Sequence, residues 1–322
     1  MMTQSPGTGR FNYLVASVEP SLFRNGKVLT RRDRDGSDDH WTGVDLREYP
    51  MPVCDARHLD AAQRPTLARN GFCMTRSPLA PPDFDFLSHD EVVHRYYPEC
   101  ADIVREASGA SFAAAFDHNV RSAGGKSSRS RIRGGQQVQG PAHVVHGDYT
   151  LTSAPQRLRD LTRPPGKNDT LSTVLAAGTS LLDMDEVDCV LASGRFAIIN
   201  VWRNVRPEPV ATHPLALCDA TSVNPDDLVV FEIHYADRIG ENYFARHADT
   251  HRWSFYTALT RDEVLILKQW DSQGTLASSG GQCGDGDATS TFSFHSAFED
   301  PSTPDDAPDR WSIEVRCVAL WS

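Results

Sequence analysis

From Arg310 to Trp321 every odd position is apolar (Trp311, Ile313, Val315, Cys317, Ala319, Trp321), while Arg310, Ser312, Glu314 and Arg316 between them are polar. A period of two marks a strand with one apolar face. A polar inward face is unusual in a β-sandwich unless it lines a site, so the even positions are a first pointer to chemistry. An arginine and a serine two apart on that face form a fork plus a hydroxyl, suited to gripping a carboxylate.

Other strands are predicted at Phe196–Trp202, Leu228–Tyr235 and Trp253–Tyr256. Phe112–Phe116 reads as a buried strand leading into Asp117–Arg121, and Ala142–Thr150 as a short apolar strand with a polar end. Helical signals are fewer. Ser88 caps a helix with Asp90 and Glu91 in its first turn, and Tyr96 and Tyr97 end it before Pro98. A second segment, Glu99–Glu106, closes at Gly109, and Ser153 with Pro155 starts another that runs to Leu161. Thr260-Arg-Asp-Glu263 is a capping-box pattern that predicts a helix over Val264–Leu267. Many strands and few helices indicate a mainly β fold with flanking helices, a jelly roll or similar barrel.

The first 87 residues are weakly periodic and rich in Pro, Asp and Arg. They read as an N-terminal extension (1–87) packed on a core domain (88–322), the two forming one structural unit. Short strands are expected near Phe11–Val15 and Gly43–Arg47, separated by a charged turn at Arg31–Asp39. Residues 122–140, with five glycines, four serines and the bases Lys126, Arg129, Arg131 and Arg133, read equally as a lid or anion-binding patch and as a solvated loop. Residues 271–290 form a Gly/Ser-rich loop.

Composition narrows the function classes. The 322-residue chain carries a net charge of −11, which speaks against nucleic acid or an anionic membrane as partner. Its seven cysteines are scattered without a CxxC pair, no run of 18 apolar residues occurs, and the N-terminus lacks the basic and apolar regions of a secretion signal. A reduced cytoplasmic protein is the simplest account; a homodimer is compatible with it.

Candidate chemistry centres on the end of the Ala142–Thr150 stretch. His146 and Asp148, two apart on a strand, point to one face and can share a metal ion. His295, within Phe292-Ser-Phe-His295, offers a second imidazole on a later strand. Two histidines and one carboxylate with the other positions open are the ligand set of non-heme Fe(II) oxygenases. His-x-Asp also occurs at His58-Leu-Asp60 and His247-Ala-Asp249. The first lies far from His295 in the irregular N-terminal part; the third remains possible. The middle one ends an apolar run, and Gly147 there permits close approach of backbone or substrate. A lone histidine between phenylalanines is more often a core residue, so the ordered set, strand-end His-x-Asp, later His, then Arg-x-Ser, carries the metal reading.

The series Tyr96-Tyr-Pro-Glu, Phe116-Asp-His-Asn-Val-Arg121, Val145-His-Gly-Asp-Tyr-Thr150, Asn200-Val-Trp-Arg203, His251-Arg-Trp, Asp271-Ser272 and Arg310-Trp-Ser-Ile-Glu-Val-Arg316 resembles the CmcJ/AsaB-like hydroxylase/desaturase family of secondary metabolism. The likeness runs from about residue 10 to the end. It implies a double-stranded β-helix and an Fe(II)- and 2-oxoglutarate-dependent oxygenase that uses O2. It also implies His146, Asp148 and His295 as iron ligands, in preference to the pair at His247. Arg310 and Ser312 match the Arg-x-Ser that holds the distal carboxylate of 2-oxoglutarate. The interval from His295 to Arg310 is longer than in many such enzymes, a difference the loop Glu299–Asp309 can absorb. Asn200 is placed with the co-substrate, and Arg203, Trp202, Tyr149 and Arg121 with substrate. Hydroxylation, desaturation and ring closure, on an amino acid or small natural-product intermediate, all remain open. The alternatives are a catalytically silent binding jelly roll, against which the intact His146, Asp148, His295 and Arg310 argue, and a metal-dependent hydrolase or isomerase with the same triad, which would not need the Arg310/Ser312 grip.

Overall fold

The computed structural model describes residues 7–32, 40–79, 83–166, 169–235, 238–282 and 289–321. Two sheets face each other in a jelly roll. The smaller has five antiparallel strands in the order Phe72–Arg76, Glu263–Asp271, Arg195–Asn204, Ser312–Trp321 and Phe112–Arg121. The larger has nine, in the order Gly7–Leu14, Leu46–Asp55, Trp253–Phe255, Leu215–Cys218, His295–Ala297, His146–Gly147, Ile239–Ala245, Leu228–His234 and Leu29–Arg31. Strands from before residue 87 are thus hydrogen-bonded members of both sheets. Part of the charged turn predicted at Arg31–Asp39 lies outside the described residues, as does part of the 271–290 loop, whose described portion includes a short helix, Thr275–Ser278.

The alternation read from the sequence sorts the small sheet's two faces. Ile199, Val201, Ile313, Val315 and Cys317 pack with Tyr97, Cys100, Ile103 and Val104 of the helix laid across its outer side. Ile198, Phe116 and Val318 pack inward against Phe11, Val53, Ala216 and Val230 of the large sheet. Side chains at even positions of Arg195–Asn204 and Ser312–Trp321 therefore enter the space between the sheets, where the site lies.

Two helix predictions change. The Ser88-capped helix does not end at Tyr97. A π-helical turn, Val92–Tyr96, carries it into the helix Tyr97–Ser108, and Gly109 at φ 72° closes it as predicted. In the π register the Tyr97 N–H reaches the Val92 carbonyl, and Pro98, which has no N–H to give, sits in the first turn of the α-helical segment, where none is required.

Val264–Leu267 is strand, not helix: it belongs to Glu263–Asp271, an interior strand of the small sheet. Only half of the capping box forms: Glu263 Oε2 accepts from Thr260 N (2.9 Å) and from Thr260 Oγ1 (3.0 Å), while Glu263 N donates to the Thr260 carbonyl, not its hydroxyl, and closes a turn. Four consecutive apolar residues, buried on both faces between sheet and helix layers, suit a central strand. Glu263 also accepts two 2.7 Å bonds from Arg57, which together with the Thr260 contacts hold its carboxyl down to about 2. The sign follows: a depressed folded-state value stabilises above the ordinary carboxylate range and is lost as pH falls through about 2. Glu263→Gln is expected to flatten the acid limb of stability between about pH 4.5 and 2, measured by urea midpoint against pH.

Residues 122–140 form a short helix, Ala123–Ser127, and a turn whose Ile132 and Val138 are buried. Asp309 holds its start by accepting from Ser122 Oγ and Gly124 N.

Candidate active site

His146 and His295 face each other as a direct cross-strand pair in the large sheet. Cross-strand neighbours bring Cβ atoms to about 5 Å, so two residues distant in sequence become one site. Their rings lie 4.3 Å apart at 48°. Asp148 follows His146 beyond the strand, and its Oδ1 stands 3.7 Å from His146 Nε2 and 3.9 Å from His295 Nε2. The three donor atoms all lie within 4.8 Å of one another, the one such cluster of His, Cys, Asp or Glu among the described residues. Gly147 leaves room for the Phe292 ring, which a Cβ would meet at 3.0 Å.

The local hydrogen bonds fit these atoms for a metal. His146 Nδ1 is 2.7 Å from the Val144 carbonyl; a carbonyl only accepts, so Nδ1 carries the proton and Nε2 offers its lone pair. Burial, with the neighbouring His295, pushes His146 down to about 4, and burial likewise lowers His295. Both imidazoles are therefore neutral at neutral pH, the form that ligates. Burial alone would raise the Asp148 carboxyl, but the Arg316 guanidinium, with the Asn200 hydrogen bond, holds it well below the usual carboxylate range. Asp148 is fastened to the small sheet: its N–H donates to Gln269 Oε1 (3.0 Å), and its Oδ2 accepts from Asn200 Nδ2 and Arg316 Nε, each at 3.1 Å. Two imidazoles from one sheet and a carboxylate braced by the other converge without crowding, a donor set that fits Fe(II).

Beside the triad is a small cleft lined by His146, His295, Arg121, Ala142, Trp202, Leu215, Ala297, Arg310 and Glu314. Arg310 enters it from the start of the last strand. Its Nη1 donates to the His213 carbonyl and its guanidinium carbon stands 5.7 Å from the Trp202 ring centre. Burial and the adjacent Arg121 act against its charge. Arg310 Nε and Ser312 Oγ are buried and lack hydrogen-bond partners among the described residues. Arg310 lies just before the last strand and lines the cleft with Arg121, whereas Ser312, the strand's first residue, is not itself among the lining residues; two orphaned donors two residues apart there fit a carboxylate ligand.

The other predicted residues divide. Trp202 and Arg121 line the cleft, Arg121 with Nη1 on the Gly140 carbonyl at 3.0 Å. Asn200 serves Asp148, as above. Tyr149 is not among the cleft-lining residues; it packs against the inner core, and burial raises its phenol to about 12. Arg203 is a correction. Strand alternation sends it to the face opposite Asn200 and Trp202, where it is fully buried and donates to Tyr96 Oη, Ser77 O and Oγ, Arg261 O and Glu99 Oε1. The remaining His-x-Asp pairs are also placed: His247 stacks on Tyr49 at 3.8 Å, and His58 sits on the surface near Asp55.

A profile of the oxidoreductase/YMDC permease-like domain family matches residues 12–320. This chain belongs to that family. Among its relatives is an uncharacterised protein from the dcmA 3′ region of Methylophilus leisingeri, 43% identical over 195 residues, or 60% of this chain and 88% of that protein. Another is the hydroxylase/desaturase efuI of Hormonema carpetanum, 27% identical over 293 residues, 87% of this chain and 86% of its own. The resemblance to hydroxylase/desaturases seen in the motif series therefore holds. A solved structure titled iron and alpha-ketoglutarate-dependent endoperoxidase NvfI superposes with a TM-score of 0.74 over 99% of both chains at 22% identity, which supports the jelly-roll fold of this family member. Among the described residues no helix is long and apolar enough to cross a membrane, whatever the family's name suggests.

The alternation of the last strand marks Arg316 and Glu314 as part of a polar face but assigns them no role of their own. Both lie on the polar face of the last strand with Arg310 and Ser312, and both reach the site. Burial, then Asp148, raises the Glu314 carboxyl, against the opposing pull of Arg316 and Arg121.

Proposed function

We propose that this protein is a non-heme Fe(II)- and 2-oxoglutarate-dependent oxygenase that hydroxylates, desaturates or cyclises a small natural-product intermediate or amino acid. The observation that carries the reading is the convergence of His146 Nε2, His295 Nε2 and Asp148 Oδ1 beside a cleft ending in Arg310. The relatives named hydroxylase/desaturase and Fe(II)/2-oxoglutarate-dependent dioxygenase point the same way. His146, Asp148 and His295 would hold the iron, which with 2-oxoglutarate and O2 supplies removal of hydrogen from an unactivated carbon.

The chain's own residues bind, orient and exclude water. Val144 and the strand pairing fix the two imidazoles; Gln269, Asn200 and Arg316 fix the carboxylate. Arg310 and Ser312 are assigned to the distal carboxylate of 2-oxoglutarate. Trp202, Leu215, Ala142 and Ala297 give the cleft apolar walls that keep water from the reacting positions. Arg121, at the same cleft, is assigned to an anionic or hydrogen-bonding group of the substrate. We take the N-terminal extension and the core domain, divided near residue 87, as one structural unit and the cytoplasm as its setting.

Anaerobic titration of the metal-free protein with Fe(II), then 2-oxoglutarate, tests the reading through the weak visible charge-transfer band of the ternary complex. The band is expected in the wild type. Arg310→Ala is expected to keep its Fe(II) affinity but to bind 2-oxoglutarate about 10- to 100-fold more weakly, the worth of hydrogen bonds to a charged group. Metal binding without a band would favour a hydrolase or isomerase, and no metal binding a silent binding protein.

A further inference from the structure

Arg316 stands where three acids meet. In the small sheet Asp117, Arg316 and Asn200 lie side by side across three paired strands. Arg316 Nε donates to Asp148 Oδ2 at 3.1 Å, Nη1 donates to Asp117 Oδ2 at 2.9 Å, and Nη2 is 3.5 Å from Glu314 Oε1. Asn200 Nδ2 donates to the same Asp148 Oδ2. The other oxygen, Oδ1, is the one that faces His146 and His295. The two oxygens of one carboxylate thus have different partners.

We propose that Arg316 is a positioning residue that commits Asp148 to the metal through Oδ1 alone, by holding Oδ2 against the small sheet. The proposal rests on the iron reading above. An unrestrained carboxylate can turn about its Cβ–Cγ bond and offer both oxygens. A second oxygen on the metal would take a position that the two-histidine, one-carboxylate site keeps for co-substrate and oxygen. Two N–H donors on Oδ2 engage its lone pairs, one of them with a full charge behind it. Only a planar fork can meet Asp148 and Asp117 while lying alongside Glu314; a lysine ammonium at the end of a flexible stem cannot span them. The role is to orient a ligand, not to touch substrate.

Co(II), whose visible ligand-field bands report coordination, is the probe, added to the metal-free 322-residue chain with thermal melting as the check on folding. Arg316→Lys, which keeps the charge and loses the fork, is expected to bind Co(II) about 10- to 100-fold more weakly, with altered bands. Asp117→Asn, which keeps the arginine on Asp148, is expected to retain wild-type bands. A folded Arg316→Lys protein with wild-type affinity and bands overturns the proposal. Should that variant fail to fold, Arg316→Met in an Asp117→Asn background removes the cation together with one of its acids, and the same criterion applies. Asp148→Ala separates the two levels. Wild-type Co(II) affinity in that variant overturns the iron reading itself, whereas its loss there, with Arg316→Lys unchanged, overturns only the role of Arg316.

Discussion

His146→Ala and His295→Ala proteins are expected to fold normally and to make no succinate from 2-oxoglutarate. Each imidazole supplies one of three protein donors, and the cluster has no fourth His, Cys, Asp or Glu among the described residues to replace it. The loss should exceed the ~100-fold that removing an outer partner of a metal ligand typically causes. Folding should survive because each ring is held by a modest set of contacts, a carbonyl bond for His146 and strand pairing for both, while Asp148 keeps Gln269, Asn200 and Arg316. The check is paired: Fe(II) affinity by anaerobic titration, and melting temperature on the same samples. Lost metal binding with a melting point within a few degrees of wild type identifies a ligand. A collapse in melting temperature would instead mark the histidines as core residues, the ordinary fate of an imidazole set among phenylalanines.

The same pair shows what was legible from the chain. His146-x-Asp148 announces itself because an apolar run stops there, and the last strand because its alternation lasts long enough to exclude a helix. What the sequence cannot carry is register. That His295 lies opposite His146 depends on how a three-residue strand seats between Leu215–Cys218 and His146–Gly147, a fact with no local signature. The competing His247 is settled in the same way, by a ring stack on Tyr49 that no spacing rule anticipates.

The failures have physical reasons too. Thr260–Glu263 carries a helix-start signal, and the Glu263 carboxylate does accept from the Thr260 N–H, yet tertiary burial of Val264–Leu267 on both faces overrides the local preference. Arg316 went unassigned because an arginine six positions along a polar face resembles solvated charge until its three acidic neighbours are seen. Arg203 went wrong in the opposite direction. A motif that places Asn200, Trp202 and Arg203 together invites one role for all three, but on a strand the third must face away from the first two.

That geometry yields the second large prediction. Arg203→Ala is expected to destabilise the protein by about 3 kcal/mol, because the guanidinium is fully buried and its removal strands the groups it serves. Those groups are the Tyr96 hydroxyl, the Ser77 and Arg261 carbonyls and the Glu99 carboxylate. Breaking a buried ion pair from one side costs about 3–5 kcal/mol; the lower end applies because the Glu99 side chain is 30% exposed and can recruit water. Against a typical total of about 5–15 kcal/mol this is a large fraction, readable as a shifted urea midpoint with an unchanged slope. Arg203→Lys should recover little of it, since one ammonium cannot reproduce five donor contacts spread over the helix, the Ser77 segment and the Arg261 turn. In the fraction that remains folded at low temperature, 2-oxoglutarate affinity should match wild type, because the side chain lies on the far side of the sheet from the cleft. The reverse pattern, a stable Arg203→Ala protein with weakened 2-oxoglutarate or substrate binding, would return Arg203 to the pocket and require the strand to be turned over.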